Sequence, residues 1–480
     1  MSALFYTILD NYYPYKMSTK RMRSHSMALF LSILLCSFLS LSVLSAEDAD
    51  KPNVLLIIVD DLRPELGCYG NDVIITPNID RLAQSGTLFE QAYCQVPVCG
   101  ASRASFMTGL YPTPERFVRY YARADEDAPG IPDIPAWFKQ NDYTTLSSGK
   151  IYHHKNDNLA SWDEVYRPND FREYLLPENQ GLEHNQQVAW EDADVPDVGY
   201  ATGRLAEKVI VDLARAKKEG TPFFITAGFS KPHLPFNAPK KYWDMYDRAD
   251  FELASNPYKP VGAPRNAMHS WNELRNGYSG MPNEGMMPDE TARTLIHGYH
   301  ASTTYTDAMV GRLLDTLVEL EFTGNTIVIL MGDHGWQLGE HSLWCKHANF
   351  KTSLHTPLMI YAPGQKGGQR VQGLVEFVDL YPTLCELAGL NLPEHIQGKS
   401  LLPLMKDPGG EGKDAVFSRY HSGESVKANR YLYTEWKDGA RMLYDHQKDP
   451  DENTNISENP ENKVIIDKMC SLLNAHRDQL

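Results

Sequence analysis

From Asn53 to Val59 the chain reads Asn-Val-Leu-Leu-Ile-Ile-Val and then stops at two carboxylates, Asp60-Asp61. A run without polar alternation has no face to show to water. It belongs in the middle of a sheet that is covered on both sides. The pattern recurs at Thr326–Leu330, which leads through Met331-Gly332 into Asp333-His334. Between these runs the periodicity turns helical. Leu205, Val209 and Leu213 recur every four residues, flanked by Ala206 and Ile210, and residues 291–320 read as one long helix. Pro77–Ala83, Gly100–Thr108 and Ile134–Phe138 read as shorter helices, and Tyr143–Leu146 and Phe223–Ala227 as strands. Strands alternating with helices predict an α/β protein with a large, mainly parallel sheet between helical layers. Ligands of such sheets gather at the carboxyl ends of the strands, where both acidic pairs lie.

Length and pattern divide the 480 residues into three expected regions. Lys20, Arg21 and Arg23 precede an apolar run from Ala28 to Val43, which is followed by the small residues Ser45 and Ala46. That order describes a signal peptide within residues 1–46, with Met17, Met22 and Met27 as alternative starts. The run is shorter than the ~20 residues of a membrane span, so no stable span is expected once it is removed. Residues 47–413 are expected to form the catalytic domain. After Lys413, short strands near Ala415–Arg419, Arg430–Trp436 and Arg441–Tyr444 and a final helix near Asn462–Ala475 predict a small α+β subdomain, 414–480. Residues 245–290 are rich in Pro, Asn, Gly and Met and too long for an ordinary loop. They read as a substrate-side insertion, and 363–369 reads as a loop. The protein is thus expected to be exported: periplasmic or extracellular, or lysosomal in an animal.

The formal net charge of −16 argues against a nucleic-acid partner, which needs a basic face. It would also repel an anionic substrate at long range, so any such substrate must be held by cations gathered locally. Seven cysteines, one of them in the signal region, do not make a full disulfide framework. Cys68 and Cys94 are one conceivable pair.

Two adjacent carboxylates at the end of a buried strand need a compensating charge. Asp60, Asp61, Asp333 and His334 together ask for a divalent cation, and oxygen-dominated ligation favours Ca²⁺ or Mg²⁺ over zinc.

The remaining chemistry centres on Cys99-Gly100-Ala101-Ser102-Arg103, followed by Met107-Thr108-Gly109. Together with Gly149-Lys150-Ile151-Tyr152-His153, Lys231-Pro232-His233-Leu234-Pro235-Phe236 and Leu338-Gly339-Glu340-His341 through Lys346, this pentad resembles the formylglycine-dependent (type I) sulfatase family. The best match is to its iduronate-2-sulfatase group, which also carries His at the position of His334. The resemblance covers about residues 52–460. It implies an alkaline-phosphatase-like α/β/α sandwich. It implies that a formylglycine-generating enzyme converts Cys99 to formylglycine, whose hydrated aldehyde takes the sulfuryl group on one hydroxyl and expels sulfate through the other. It implies one Ca²⁺ on Asp60, Asp61, Asp333, His334 and an oxygen of modified Cys99. Arg103 would fix the nucleophile, and Lys150 would hold its hydroxyl. His153 would accept the proton that ejects sulfate, His233 would protonate the leaving oxygen, and Lys346 would hold sulfate. His154 is expected at the surface. Glu340, His341, Trp344 and His347 lie near the site with no assigned role.

The implied activity is hydrolysis of a sulfate ester on a carbohydrate, with a 2-O-sulfated uronic acid as one option. Arg116, Arg119 and Arg123 are candidates for its carboxylate. Two rivals stay open: a phosphodiester or phosphomonoester hydrolase on the same fold, and a non-catalytic sugar-binding relative.

Overall fold

The computed structural model describes residues 51–168, 172–270 and 272–480. The proposed signal segment lies outside them. An eight-stranded sheet forms the centre, built from β1 (Asn53–Val59), β2 (Thr87–Tyr93), β3 (Thr144–Gly149), β4 (Glu164–Tyr166), β5 (Phe223–Phe229), β6 (Thr326–Gly332), β7 (Leu358–Tyr361) and β8 (Gln369–Glu376). Their order across the sheet is β8-β2-β7-β6-β1-β5-β3-β4. Five of the seven adjacent pairs are parallel. The exception is β7, antiparallel to both neighbours. The expected mainly parallel sheet is therefore present.

Among the described residues, the six helices of eight or more residues are α1 (Pro77–Ser85), α2 (Cys99–Thr108), α4 (Ala201–Glu219), α5 (Asp289–Glu319), α6 (Leu380–Leu387) and α7 (Lys463–Arg477), with a seven-residue helix α3 (Ile134–Gln140) between α2 and α4. Strand β1 shows why the sheet is covered on both faces. Val54, Leu56 and Ile58 pack with Ala101 and Ala104 of α2, Phe138 of α3 and Leu384 of α6. Leu55, Ile57 and Val59 pack with Leu205 and Val209 of α4 and Tyr305 and Met309 of α5. All six are fully buried, each worth roughly 1.5–3 kcal/mol against exposure. Alternation along an apolar strand thus feeds two cores, and a polar substitution on either side would break one of them.

Helix α1 is capped from a distance. Its N-cap residue, Thr76, makes no capping hydrogen bond. Instead Asp307, on α5, accepts from the amides of Asn78 at 3.0 Å and Ile79 at 2.7 Å and from Asn78 Nδ2 at 2.8 Å.

A four-stranded antiparallel sheet, β9 (Val416–Tyr420), β10 (Gly423–Ala428), β11 (Tyr431–Trp436) and β12 (Arg441–Asp445), follows in chain order. Ile466, Met469 and Leu473 of α7 cover one face through Val426, Tyr433 and Leu443. Strands β2, β4, β7, β8 and β10 were not expected from the sequence. The loop expected at 363–369 ends where β8 begins. Cys68 and Cys94 are both free, as are the other described cysteines, so the conceivable pair does not form. Among the described residues no helix is long and apolar enough to cross a membrane.

Candidate active site

Register assembles the site. Strand β1 runs parallel to β6 with Val59 opposite Gly332, and parallel to β5 with Val59 opposite Phe229. The next residues, Asp60 and Asp333, therefore leave the sheet side by side, with Ser230 and Lys231 on the other flank. Strand β3 ends at Gly149, opposite Gly228, which delivers Lys150. Gly149 has φ of +82°, and a Cβ there would lie 2.3 Å from the carbonyl oxygen of Gly228. Only glycine permits both. Helix α2 adds Cys99 as its first residue.

Asp60, Asp61, Cys99 and His334 are all buried, with one ligand atom each within 4.8 Å of the others. Asp61 has φ of +60°, a conformation uncommon outside glycine and frequent at functional sites. Its Oδ1 is buried and has the Lys346 ammonium 3.1 Å away as an ion-pair partner. Burial, together with Asp60 and Cys99, pushes the Asp61 carboxyl well above the ordinary range. The Lys346 ammonium opposes this rise but does not offset it, so negative charge remains in excess here. His334 Nδ1 lies 2.9 Å from the carbonyl of Gly335. A carbonyl only accepts, so Nδ1 carries the proton and Nε2 turns its lone pair to the cluster, as a metal-ligating imidazole requires. The donor set therefore fits a cation. Asp333 stands at its edge. Its Oδ1 accepts from the amide of Asp61 at 3.1 Å and its Oδ2 from Arg103 Nε at 2.9 Å.

Arg103 is fully buried. It also donates to Asp60 Oδ1 at 3.2 Å and to the carbonyl oxygens of Lys150 and Ile151. Lys150 pairs with Asp60 Oδ2. Lys346 Nζ lies 3.1 Å from Asp61 Oδ1 and 3.0 Å from Glu273 Oε2. His233 Nε2 is 2.9 Å from Glu273 Oε1. The Cys99 thiol, 3.2 Å from His334 Nε2, is pushed up to about 12 by burial and by Asp60. An unmodified cysteine here would stay protonated, the opposite of an activated thiolate.

A cavity of about 440 Å³ opens beside the cluster, lined by Lys150, His153, His154, Arg167, Lys231, His233 and Glu273 among others. Its described lining also includes Lys155 and Arg172 against one further acid, Glu173. An acidic protein thus presents a locally cationic pocket. Burial and the Lys150 ammonium push His153 down to about 2, which keeps it neutral. Its Nδ1 has no hydrogen-bond partner. His154 is half-buried and lines the same cavity, not the outer surface.

Every residue singled out from the sequence for metal or catalysis converges here. Glu340, His341 and Trp344 do not. Glu340 pairs with Arg63, the ring of His341 packs on Phe350 at 4.5 Å, and Trp344 is in the core. Glu273 was missed. It sits on a four-residue helix, Asn272–Arg275, inside the 245–290 insertion, and no local pattern marks it.

The sulfatase family model matches residues 52–390, and that of the N-sulphoglucosamine sulphohydrolase C-terminal region matches residues 339–479. The chain belongs to the sulfatase family. Iduronate 2-sulfatase of Homo sapiens is 36% identical over 386 residues, covering 72% of this chain and 70% of that protein. A sulfatase of Formosa agariphila is 30% identical over 457 residues, covering 89% and 87%. Among solved structures, the phosphonate monoester hydrolase of Agrobacterium radiobacter has a TM-score of 0.76 at 22% identity, with 89% of this chain and 96% of that one covered. A protein solved in complex with its substrate D-glucosamine-2-N,6-O-disulfate has 0.75 at 21%, covering 90% and 98%. The structural likeness fixes the alkaline-phosphatase-like fold of this sulfatase, and the sequence relatives make it a sulfuric ester hydrolase.

Proposed function

We propose that this sulfatase removes sulfate from a sulfated sugar, with a 2-O-sulfated uronic acid of an oligosaccharide or polysaccharide as the leading class. Cys99 would act as formylglycine, installed by a formylglycine-generating enzyme, beside one Ca²⁺. In this reading the protein is exported through residues 1–46, the catalytic residues lie in 47–413, and 414–480 is an accessory subdomain. The observation that carries the proposal is the seat of Cys99, at a helix N-terminus, against His334 Nε2 and within ligand-atom distance of the buried carboxylates of Asp60 and Asp61.

Asp60, Asp61, Asp333 and His334, with an oxygen of modified Cys99, would hold the calcium. When bound it would supply positive charge to the sulfuryl oxygens and to the attacking oxygen. The modified Cys99 would supply a hydroxyl as nucleophile. Lys150 and Lys346 face the same space and would neutralise charge developing on sulfate. His233 would hold a proton at Nε2 for the departing sugar oxygen, and neutral His153 would accept one at Nδ1. Arg103 ties Asp60 to Asp333 and so keeps the cation seat in shape.

The two-metal phosphatase rival has less support. Asp61, His233 and Glu273 form a second acidic group, but the ammonium of Lys346 already lies 3.1 Å and 3.0 Å from two of its carboxylates. A second ion would have to compete with that ammonium.

Peptide mass spectrometry across Cys99 tests the reading, with a panel of sulfated, phosphorylated and phosphonate substrates. The expected result is an aldehyde at Cys99, sulfate release from sugars, and near-complete loss of turnover in Cys99→Ala. A wild-type rate in Cys99→Ala would overturn it.

A further inference from the structure

The mouth of the cavity carries a segment that neither the cation seat nor the acid–base residues use. Arg119, Tyr120 and Tyr121 are consecutive and all exposed, the tyrosines by 58% and 52%. Tyr120 lines the cavity, and its ring meets that of His153 edge-on at 5.9 Å and that of Tyr121 at 5.3 Å. The segment is anchored at the nucleophile. A Cβ on Gly100 would lie 1.9 Å from the carbonyl oxygen of Tyr120, so this backbone is packed directly on the residue after Cys99. An aromatic pair held in water beside a polar pocket is unusual for packing and suited to a ligand that is part apolar and part polar.

The three nearby arginines are not equivalent. Arg116 donates to the carbonyl of Tyr111 at 2.7 Å. Arg123 is bound to Asp125 and to Asn156, each at 2.8 Å. The Arg119 side chain makes no hydrogen bond or ion pair among the described residues, and its guanidinium stands 5.9 Å from the Tyr121 ring. It is a cation without an anion at the edge of an aromatic surface.

We propose that Arg119, Tyr120 and Tyr121 form a second sugar subsite, which receives the anionic sugar unit next to the sulfated one. This deepens the sulfatase reading and rests on it. The C–H face of a pyranose carries slight positive charge and is attracted to the negative face of a phenol ring. Arg119 would then pair with a carboxylate or sulfate on that unit through two parallel hydrogen bonds. The natural substrate is accordingly an anionic oligosaccharide, since a lone sulfated monosaccharide at Cys99 would leave Arg119 and Tyr121 uncovered.

The test measures kcat/KM of wild type, Tyr120→Ala, Tyr120→Phe and Arg119→Ala on a sulfated uronate-containing disaccharide, its carboxyl-reduced form and the sulfated monosaccharide. Tyr120→Ala should lose about tenfold or more on the disaccharide, mainly in KM, with a smaller loss on the monosaccharide. Tyr120→Phe should retain the wild-type value. Arg119→Ala should lose about tenfold on the disaccharide. If carboxyl reduction erases that loss, the anion is the carboxylate; if the loss persists, it is a sulfate. Equal effects of Tyr120→Ala on disaccharide and monosaccharide would overturn the subsite. Calorimetric binding of the disaccharide to Cys99→Ala protein separates the two readings. Binding weakened by Tyr120→Ala supports the subsite even if no sulfate is released, a result that would overturn the sulfatase chemistry alone. Binding insensitive to Tyr120→Ala overturns the subsite alone.

Discussion

Glu273 holds His233 from the side that faces the cavity. Its Oε1 lies 2.9 Å from Nε2, while Nδ1 of the same ring lies 2.6 Å from the carbonyl of Leu234. Both partners are acceptors, so this geometry favours a proton on each ring nitrogen. Burial pulls His233 below its ordinary pKa, and Lys346 adds to this; Glu273 opposes them. Although burial alone would raise its carboxyl, Lys346 and His233 hold Glu273 well below the usual range. The carboxylate is therefore charged and opposes the loss of the His233 proton.

Glu273→Gln should lower kcat/KM for sugar sulfates by on the order of 10²-fold, within the range of one general-acid contribution. Aryl sulfates leave with little protonation and should suffer less. The acidic group of the pH–rate profile should also move to lower pH, because His233 loses the anion that favours its proton. Equal losses on both substrates with an unmoved profile would assign Glu273 to packing.

Arg103 neutralises Asp60 and Asp333 in a fully buried setting. Removing one partner of a buried pair strands the other charge, at a cost of about 3–5 kcal/mol. Arg103→Ala should be destabilised by about that much in urea unfolding, and Arg103→Lys by less, since it keeps charge but loses the fork. A change below about 1 kcal/mol, the size of a surface pair, would show that Lys150 and other charges suffice to balance the two carboxylates.

On the calcium reading, chelation should lower the melting temperature as well as activity, since Asp61 is left with Lys346 alone as counter-charge. Adding calcium at about a hundredfold over its Kd should return about 2.7 kcal/mol. Scanning calorimetry with and without chelator reads the effect. Zinc found in place of calcium by elemental analysis would contradict the ligand assignment.

Asp307 provides a stability readout remote from chemistry. Asp307→Ala removes the acceptor for two α1 amides and should cost about 1–3 kcal/mol with kcat unchanged. Burial raises the Asp307 carboxyl to about 6, against the hydrogen bonds that lower it. The folded protein then binds this proton more tightly than the unfolded chain, whose value is about 3.9. The group's contribution is therefore greatest below about pH 4 and falls as pH rises toward 6. The stability difference between wild type and Asp307→Asn should change across that window and be level above it. A difference constant from pH 4 to 7 would place the proton elsewhere.

Much of this protein is legible residue by residue. Burial on both faces leaves an unbroken apolar run, so β1 and β6 were readable, and a carboxylate pair at the end of such a run points to a cation. The pentad around Cys99 and the Gly-Lys and Lys-Pro-His segments are short and contiguous, so the family and its fold followed from them, together with a candidate catalytic set. Strands β2, β7 and β8 did not. They are short or mixed in polarity, and what makes them strands is pairing with distant neighbours. The same holds for Glu273, for the capping of α1 by Asp307, and for the difference between Arg119 and its two tied neighbours. Local sequence records periodicity and residue chemistry. Which carboxylate meets which cation across the cavity depends on how the insertion and the helices pack, and that was decided only by the tertiary structure.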